Sequence, residues 1–453
     1  MRKLADINEG DMLQRGMFPD LPANQMELWR DGRNVQFGEK RVSKATGWTA
    51  EETVSSTIRA MAQAYIEGLR RVYYAENTRV WRWEYGAPTI IGANFGGNGY
   101  WNLEPYGAWL LATNDFDPPK IWKNDGNPMA NLAGVRRPRF RLIKKHQNHV
   151  LGYYGQSVDW SAKGNPEMWE PTEDNDAGGQ FIRDLDSDVI AAQPLGPTFG
   201  LYSFDKMVIQ QYLGDPLYFG FTLGVDGVGA VSDSAIIPVG RRHFGLSHKG
   251  VFTTDGIGHD YIDTPQIKKW ITRQIDWQDA RRTVGVHEEV ATTVKWWFPC
   301  LDGVIRGVSF NYVTNAWGIL EQPITAATGH EVYDSPIVAA GTTWGFHVGH
   351  DHGPAPMVSE LKTFPFQGGD RGLYKLWDML QADIEGAGIE VRFGFSDKPK
   401  DPPEWTDWAP LEYEMWPNRD SVYITLEFRS TTLGADWAIT GLSLHGEPTG
   451  NAT

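Results

Sequence analysis

The sequence lacks several features that define common protein classes. It has one cysteine, Cys300, among 453 residues, so no disulfide can form within the chain and a disulfide framework is excluded. It has no apolar run of 18 residues, which argues against a membrane-spanning helix. The opening segment MRKLADINEGDMLQRG has no apolar stretch of the kind that defines a secretory signal. We therefore expect a soluble product that is made in a cytoplasm.

Basic residues are also scarce. The chain has 42 Lys and Arg against 57 Asp and Glu, which gives a formal net charge of -15. A protein that grips nucleic acid needs a basic surface, so this balance argues against tight DNA binding by the chain as a whole. Acidic charge keeps a protein in solution, and acidic walls would also let DNA slide past without sticking.

Three residue types are abundant instead. The chain contains 50 Gly, 27 Pro and 20 Trp. Gly and Pro at this density predict many turns and few long helices. Trp is favoured on pleated, half-buried surfaces and at interfaces. Together these counts predict many short strands.

Residues 57–370 repeat one pattern, in which two short aromatic or β-branched stretches flank a turn. Examples are RRVYYAENTRVWRWEYG (70–86), AWLLATNDFDPPKIWKNDG (108–126) and TTVKWWFPCLDGVIRGVSFNYVTNAWGIL (292–320). Strands at such spacing indicate a sandwich, barrel or propeller. At about 40–50 residues per blade, the region predicts an all-β fold with a β-propeller of about six or seven blades.

The two ends differ from this region. Residues 1–56 predict an extended N-terminal arm with a small hairpin, in which 34–37 and 40–44 flank Gly38. Residues 371–453 predict a small C-terminal antiparallel, sandwich-like β-domain with strands at 421–432 and 436–446. Helical spacing of apolar residues predicts one helix at 264–282, and 373–384 is compatible with either a short helix or a strand.

The order of these features resembles the nozzle, or packaged-DNA stabilisation, proteins of podovirus tails. The resemblance lies in an arm that ends at Gly47-Trp48 and a strand pair at 72–84. It continues in DWSAKGNPEMW (159–169) and in HFGLSHKGVFTTDGIGHDYIDTPQIKKWI (243–271). The motifs are short, but their order extends over most of the chain.

The resemblance implies a structural, non-enzymatic virion protein. Such proteins form a homo-hexameric ring in the phage tail, below the portal and adaptor proteins, and contact tail fibre, spike or needle proteins. Double-stranded DNA would be retained and then pass through the ring without sequence readout. Assembly would take place in the host cytoplasm, and no cofactor is implied.

One basic cluster stands out at 135–149. Its cationic residues are Arg136, Arg137, Arg139, Arg141, Lys144 and Lys145. They are candidates for a contact with DNA phosphates or with an acidic neighbouring subunit. The alternative is a strand with a basic outer face, because Phe140, Leu142 and Ile143 supply apolar partners.

Other candidate sites are weaker. His347, His350 and His352, with Asp351, have a spacing compatible with a metal site, but the glycines around them also fit an exposed turn. Asp174 and Asp176 partly match a calcium loop that lacks its terminal glutamate. The apolar setting of Cys300 suits an inert thiol.

Enzyme motifs are few. The sequence has no nucleophile elbow, P-loop or Rossmann fingerprint. Glycoside cleavage needs two carboxylates at a set separation, and the HEE segment at 287–289 is one option among many. The alternative function is therefore a glycan-binding or glycan-cleaving propeller of the phage depolymerase type. It predicts an axial pocket lined by carboxylates.

Overall fold

In the computed structural model, which describes residues 2–6, 12–22, 28–97, 99–329, 331–368 and 373–451, the chain is nearly all β. Seven four-stranded antiparallel sheets, the blades, follow one another along the chain. The first strand of each blade, called the inner strand, contacts the inner strands of the blades before and after it. The ring of inner strands is closed between blades 7 and 1, so the all-β propeller prediction is confirmed and the described blades number seven.

Blades 1 to 4 form the first part of the ring. Blade 1 consists of Ala60–Ile66, Leu69–Ala75, Arg79–Glu84 and Ala87–Ala93. Blade 2 consists of Asn102–Tyr106, Trp109–Thr113, Lys120–Trp122 and Ala130–Asn131. Blade 3 consists of Leu142–His146, His149–Tyr154, Ser157–Trp160 and Gly178–Phe181. Blade 4 consists of Ala191–Leu195, Thr198–Tyr202, Lys206–Gly214 and Tyr218–Asp226.

Blades 5 to 7 complete the ring. Blade 5 consists of Ile236–Val239, Arg242–Ser247, Gly250–Thr254 and His259–Tyr261. Blade 6 consists of Val284–Glu288, Thr293–Pro299, Ile305–Asn311 and Ala316–Leu320. Blade 7 consists of Ile324–Thr328, Ile337–Ala340, Thr343–Phe346 and, from the N-terminal part of the chain, Glu52–Thr53. The last pairing places Thr53 opposite Thr343, so the chain closes its own ring.

Tight turns explain how the blades start. In blades 1 to 5 the first two strands are joined by only two residues, and each of these turns uses positive φ. In blade 3 both turn residues, Gln147 and Asn148, have positive φ, as a type I′ hairpin requires. Such turns match the right-handed twist of the strands, which suits the twisted blades of a propeller.

The core lies between the blades. Each of the seven buried apolar clusters joins two adjacent blades, and together they close the circle. Trp296, Trp297 and Trp344 are among the largest fully buried side chains. The high tryptophan content therefore fills the wedge-shaped gaps between neighbouring sheets.

A second body is a two-sheet sandwich made from both ends of the chain. One sheet contains Arg2–Asp6, Val35–Gly38, Arg41–Lys44, Leu373–Gly386, Glu414–Met415, Arg419–Ser421 and Trp437–Asn451. The other contains Trp29–Arg33, Ser359–Thr363, Glu390–Ser396, Glu404–Trp405, Ala409–Pro410 and Tyr423–Ser430. The apolar cluster between blades 5 and 6 continues without a break into this sandwich.

The expected segment boundaries therefore change. The 1–56 segment is not a separate arm, because its strands pair with the C-terminal strands and its end completes blade 7. The propeller ends at Phe346 rather than at 370, and Ser359–Thr363 already belongs to the sandwich. Edge strands need partners, and those partners are distant in the sequence. The small hairpin at 35–44 is confirmed.

The helix predictions are only partly correct. The predicted helix at 264–282 is limited to Lys268–Gln274, followed by a 3₁₀ turn at Ala280–Arg282. The ambiguous stretch at 373–384 is a strand, Leu373–Gly386, which pairs along its whole length with Trp437–Asn451. A further 3₁₀ turn lies at Met12–Gln14, and a two-stranded ribbon pairs Asp351–His352 with Ala355–Pro356.

Candidate functional site

The inner strands surround a central channel of about 780 Å³. Its walls are the inner strands of the blades, and the free edges of these strands face each other across it. Side chains satisfy several of the edge amides. The amide N of Ile143 donates to Oδ1 of Asn102 at 2.8 Å, and that of Ala192 donates to Oδ1 of Asp233 at 3.0 Å. These contacts satisfy backbone groups that would otherwise be buried without a partner.

An ion pair crosses this channel. Nζ of Lys144 lies 2.7 Å from Oδ2 of Asp233, and both side chains are largely buried. Burial opposes the charged form of Lys144, but Asp233 and the nearby Glu104 raise its pKa above the ordinary value. Lys144 therefore stays charged at neutral pH, and its contact with Asp233 ties blade 3 to the segment that leads into blade 5.

Glu104 is the most perturbed acid of the channel. It lies on the inner strand of blade 2, and its Oε1 accepts the amide N–H of Lys145 at 3.1 Å. Burial raises its pKa to about 7, although the Lys144 ammonium lowers it. The carboxyl group can therefore gain or lose a proton near neutral pH, as a general acid or base would.

The channel opens at one end among the residues that precede the inner strands, a region called the upper mouth below. A cavity of about 70 Å³ lies there, and four arginines line it: Arg59, Arg141, Arg281 and Arg282. They come from three different inter-blade connections, so no local sequence pattern groups them. Tyr100, in the connection to blade 2, lies under two of them, with ring distances of 4.2 Å to Arg281 and 5.7 Å to Arg282.

Only two of these arginines have a carboxylate within ion-pair distance among the described residues. Arg281 lies 2.9 Å from Asp115, and Arg282 lies 3.0 Å from Asp279. Burial lowers the pKa of Arg141, and its neighbour Arg281 lowers it further. Burial lowers the pKa of Arg59 as well, with Arg282 as the next cause. The upper mouth therefore gathers four arginines close to Asp115, Asp233 and Asp279.

The predicted basic cluster does not form one surface. Arg136 and Arg139 are exposed. Arg137 pairs with Asp159 at 3.3 Å and lies over the ring of Tyr154.

The remaining members separate along the inner strand of blade 3. Arg141 lines the upper mouth and Lys144 is buried in the channel, whereas Lys145 is exposed and lies over the ring of Tyr106. Successive side chains of a strand point to opposite faces, which divides such a run of charges.

The histidine-rich loop joins the propeller to the sandwich. Nε2 of His350 lies 3.1 Å from Oδ1 of Asp436, while Oδ2 of Asp351 accepts the amide N–H of Gly434 at 2.9 Å. The amide N of Trp48 donates to the carbonyl of Asp351 at 2.8 Å. Within the described residues, no group of three or more His, Cys, Asp or Glu is arranged to hold a metal ion.

The first histidine of this loop belongs to a buried network instead. Nζ of Lys295 lies 3.0 Å from Nε2 of His347 and 2.6 Å from Oε2 of Glu288. Burial lowers the pKa of His347 to about 3, and the Lys295 charge acts in the same direction. Burial alone would raise the pKa of Glu288, but Lys295 is the main cause that lowers it to about 2. A neutral imidazole that accepts from an ammonium fits a structural role in blades 6 and 7.

The remaining sequence candidates have local partners. Oδ1 of Asp176 accepts the amide N–H of Lys163 at 2.8 Å, and Asp174 is exposed. His287 lies 3.1 Å from the hydroxyl of Tyr312. Cys300 is buried, and burial raises the pKa of its thiol.

Sequence reasoning missed the residues that matter most to the channel and its mouth: Arg59, Glu104, Asp233, Arg281 and Arg282. A usable signal existed, because Arg59 and Arg141 each immediately precede the inner strand of a blade. Both positions come directly before the first strand of a hairpin unit, which indicates that they lie at the same mouth of the channel.

No protein-family model matches the chain, and no curated protein matches it. The chain is similar to the crystal structure of the computationally designed Ika8 protein, with 10% identity and a TM-score of 0.42 over 67% of this chain and 100% of that chain. It is also similar to the crystal structure of RRP9 WD40 repeats, with 9% identity and a TM-score of 0.47 over 66% of this chain and 92% of that chain. Among the described residues, no helix has the length and apolar character needed to cross a membrane.

Proposed function

We propose that this chain is a structural subunit of a short-tailed bacteriophage tail nozzle, which forms a ring around a conduit for DNA. The work of such a subunit is done by its shape and surface, without covalent chemistry. The proposal rests on the resemblance of the sequence to the nozzle family and on one surface of the propeller that suits a contact between subunits.

That surface is a long hairpin on blade 4. Its strands, Lys206–Gly214 and Tyr218–Asp226, have nine residues each, whereas no other described propeller strand exceeds seven. The last four residues of the first strand, 211–214, pair with Tyr218–Asp226 but extend past the end of the strand on the other side, Thr198–Tyr202. The hairpin therefore extends beyond the end of the neighbouring strand of blade 4.

The projecting hairpin carries both packed and exposed apolar side chains. Phe219 packs against Trp160 of blade 3, with ring centroids 5.2 Å apart. Leu213 and Leu217, near the tip of the hairpin, are 52% and 67% exposed, and Leu223, on the same face as Phe219, is 49% exposed. Exposed apolar side chains on a projecting hairpin are typical of an interaction site. Subunits with a charge of -15 repel each other, so an apolar contact of this kind would favour their assembly.

The overall build supports the same proposal. The ring of blades is closed by Glu52–Thr53, and the sandwich uses strands from both ends of the chain. A force on either end of the chain is therefore passed to a sheet whose other strands come from distant parts of the sequence. This cross-connected arrangement suits a particle wall that must withstand the pressure of packaged DNA.

The test is the assembly state of three proteins across concentration, measured by sedimentation velocity. We expect the native chain to form a closed oligomer and the variant Leu213→Ser/Leu217→Ser/Leu223→Ser to need at least tenfold more protein to do so. The matched control removes three exposed apolar side chains from blade 6, in Val290→Ser/Leu301→Ser/Val313→Ser. Equal assembly of all three proteins would reject the hairpin as the ring contact.

A second candidate function is favoured by Glu104. A propeller that cleaves glycans needs an acid that is protonated near neutral pH, and Glu104 has such a pKa in an axial channel. Cleavage also needs a second carboxylate, and Asp233 in the same channel is already engaged by Lys144 and by the Ala192 amide, which argues against this role. Release of reducing sugar from capsular polysaccharide, abolished by Glu104→Gln, would establish this function in place of the nozzle.

A further inference from the structure

The upper mouth contains two arginines whose charge has no close counter-ion. Nε of Arg59 lies 3.3 Å from Oδ1 of Asn77, which is a neutral amide. For the Arg141 guanidinium, the described part of the chain provides no hydrogen bond and no carboxylate within ion-pair distance. The other two arginines of the mouth are paired with Asp115 and Asp279. Neither guanidinium therefore has a carboxylate within ion-pair distance among the described residues, although Asp233 lines the cavity and Asp115, Asp188 and Asp279 act on the two arginines from further away.

Burial makes this arrangement expensive. Arg59 and Arg141 are each only partly exposed, and burial is the main cause that lowers their pKa values. Each also faces a second guanidinium, from Arg282 and Arg281 respectively. A guanidinium stays charged at neutral pH even under such conditions. Charges that are partly removed from water and close to like charges destabilise the fold unless an anion joins them.

Unsatisfied polar groups line the same cavity. The indole N–H of Trp101 and the hydroxyl of Thr283 are buried and have no hydrogen-bond partner among the described residues, and both residues line the cavity. Buried polar atoms in native proteins are almost always paired, so two orphans at one place call for a missing partner. The indole N–H can only donate, so the partner it lacks is an acceptor atom.

The cavity can hold such a partner. Its volume of about 70 Å³ is several times the ~10–15 Å³ that one water molecule requires. Arg281 is fixed by Asp115 and by the Tyr100 ring, so the wall behind the cavity is already ordered. A site that is formed before the ligand arrives loses little conformational entropy on binding.

We propose that the upper mouth binds a small doubly charged oxyanion of the phosphate type, held by Arg59 and Arg141. Two guanidiniums without a close carboxylate match a dianion, whereas a single carboxylate would leave one of them without a partner. Guanidinium groups bind phosphate oxygens through paired, charge-assisted hydrogen bonds. The Trp101 indole N–H supplies a further donor. This site is independent of the proposed ring contact on blade 4.

The test is titration calorimetry of the full chain with inorganic phosphate at pH 7.5 and constant ionic strength. We expect saturable binding at one site, weakened at least tenfold in Arg59→Gln and in Arg141→Gln. Arg139→Gln is the matched control, because Arg139 is exposed and lies two residues before Arg141. It should bind phosphate within twofold of the native chain. Absence of binding to the native chain, or equal weakening in the control, would overturn the proposal.

Thermal unfolding provides a second measurement that separates binding from folding. Without phosphate, Arg141→Gln should melt at the same temperature as the native chain or higher, because a like-charge contact is removed. With 20 mM phosphate, the native chain and Arg139→Gln should melt several degrees higher, and Arg141→Gln should not change. Acetate at equal ionic strength should give no such increase. An equal increase with acetate would overturn the dianion assignment.

Discussion

Nζ of Lys144 lies 2.7 Å from Oδ2 of Asp233, although 89 positions separate the two residues and blade 4 lies between them in the ring. The pair spans the channel at the point where the free edges of the inner strands meet. Asp233 also accepts a hydrogen bond from the Ala192 amide, so its carboxylate serves both contacts at once. Stability of the ring should therefore depend on it more than on any exposed ion pair.

Asp233→Asn tests this dependence. The amide oxygen can still accept from the Ala192 N–H, so the change removes the carboxylate closest to Lys144 and leaves Glu104 as its remaining negative neighbour. We expect the free energy of unfolding in urea to fall by about 3 kcal/mol, since a buried charge loses its partner. Asp205→Asn breaks the exposed contact with Lys249 and should lower the free energy of unfolding far less, because solvent screens that pair. Similar losses for the two variants would contradict a special role of the channel pair.

The pH dependence of stability should reveal Glu104. Its pKa rises from an ordinary 4.5 to about 7 in the folded chain, so the folded state holds the proton more tightly than the unfolded state. Stability from this group is complete below pH 4.5 and is lost as the pH rises towards 7. Glu104→Gln should therefore remove a decline of about 2 kcal/mol between pH 5 and pH 7 in urea unfolding. An unchanged pH profile would show that Glu104 titrates normally.

Glu288 should act in the opposite direction. Its pKa is lowered from 4.5 to about 2, so its contribution is present above pH 4.5 and is lost as the pH falls towards 2. Glu288→Gln should destabilise the chain at pH 7 by about 2 kcal/mol and flatten the acid limb of the stability profile. Glu289→Gln, at the exposed neighbouring position, should leave that limb intact. Acid limbs of equal slope in the native chain and Glu288→Gln would refute the role of the Lys295 network.

Ring closure should depend on Gly345. This residue lies on Thr343–Phe346, the strand of blade 7 that pairs with the closing strand Glu52–Thr53. A Cβ atom at this position would clash with the carbonyl oxygen of Thr49. Gly345→Ala must displace the N-terminal segment that closes the ring, and we expect a loss of about 3 kcal/mol in thermal or urea unfolding. Gly258→Ala is the control, since no atom lies within 4 Å of its Cβ position. A loss below ~0.5 kcal/mol in Gly345→Ala would mean that the closing segment is loosely attached.

Local patterns were enough to predict the strand pairs of the propeller. The unit at 70–86 corresponds to Leu69–Ala75 and Arg79–Glu84, because alternating aromatic residues and a short turn are local signals. The same local patterns do not decide between a helix and a strand at 373–384, because its apolar residues fit both the helical and the alternating spacing. The segment is a strand because it pairs along its whole length with Trp437–Asn451, a partner that local patterns do not reveal because it is distant in the sequence.

Contacts between distant segments explain what the sequence did not reveal. The hairpin at 35–44 was predicted correctly, but its attachment to Ile439 and Ala438 requires the folded sandwich. The basic run at 136–145 is continuous only in the sequence, because the strand directs Lys144 into the channel and leaves Lys145 exposed. The mouth arginines are the converse case, since closure of the ring brings together residues as far apart as Arg59 and Arg282.

Electron microscopy of the assembled particle, viewed down its axis, distinguishes a tail nozzle from an enzyme. We expect a closed ring of identical subunits, six in the family that the sequence resembles, around an open hole wide enough for duplex DNA. The blade 4 hairpins, Lys206–Asp226, should lie at the contacts between neighbouring subunits. A monomer that releases sugar from a polysaccharide through its axial channel would rule out the proposed nozzle.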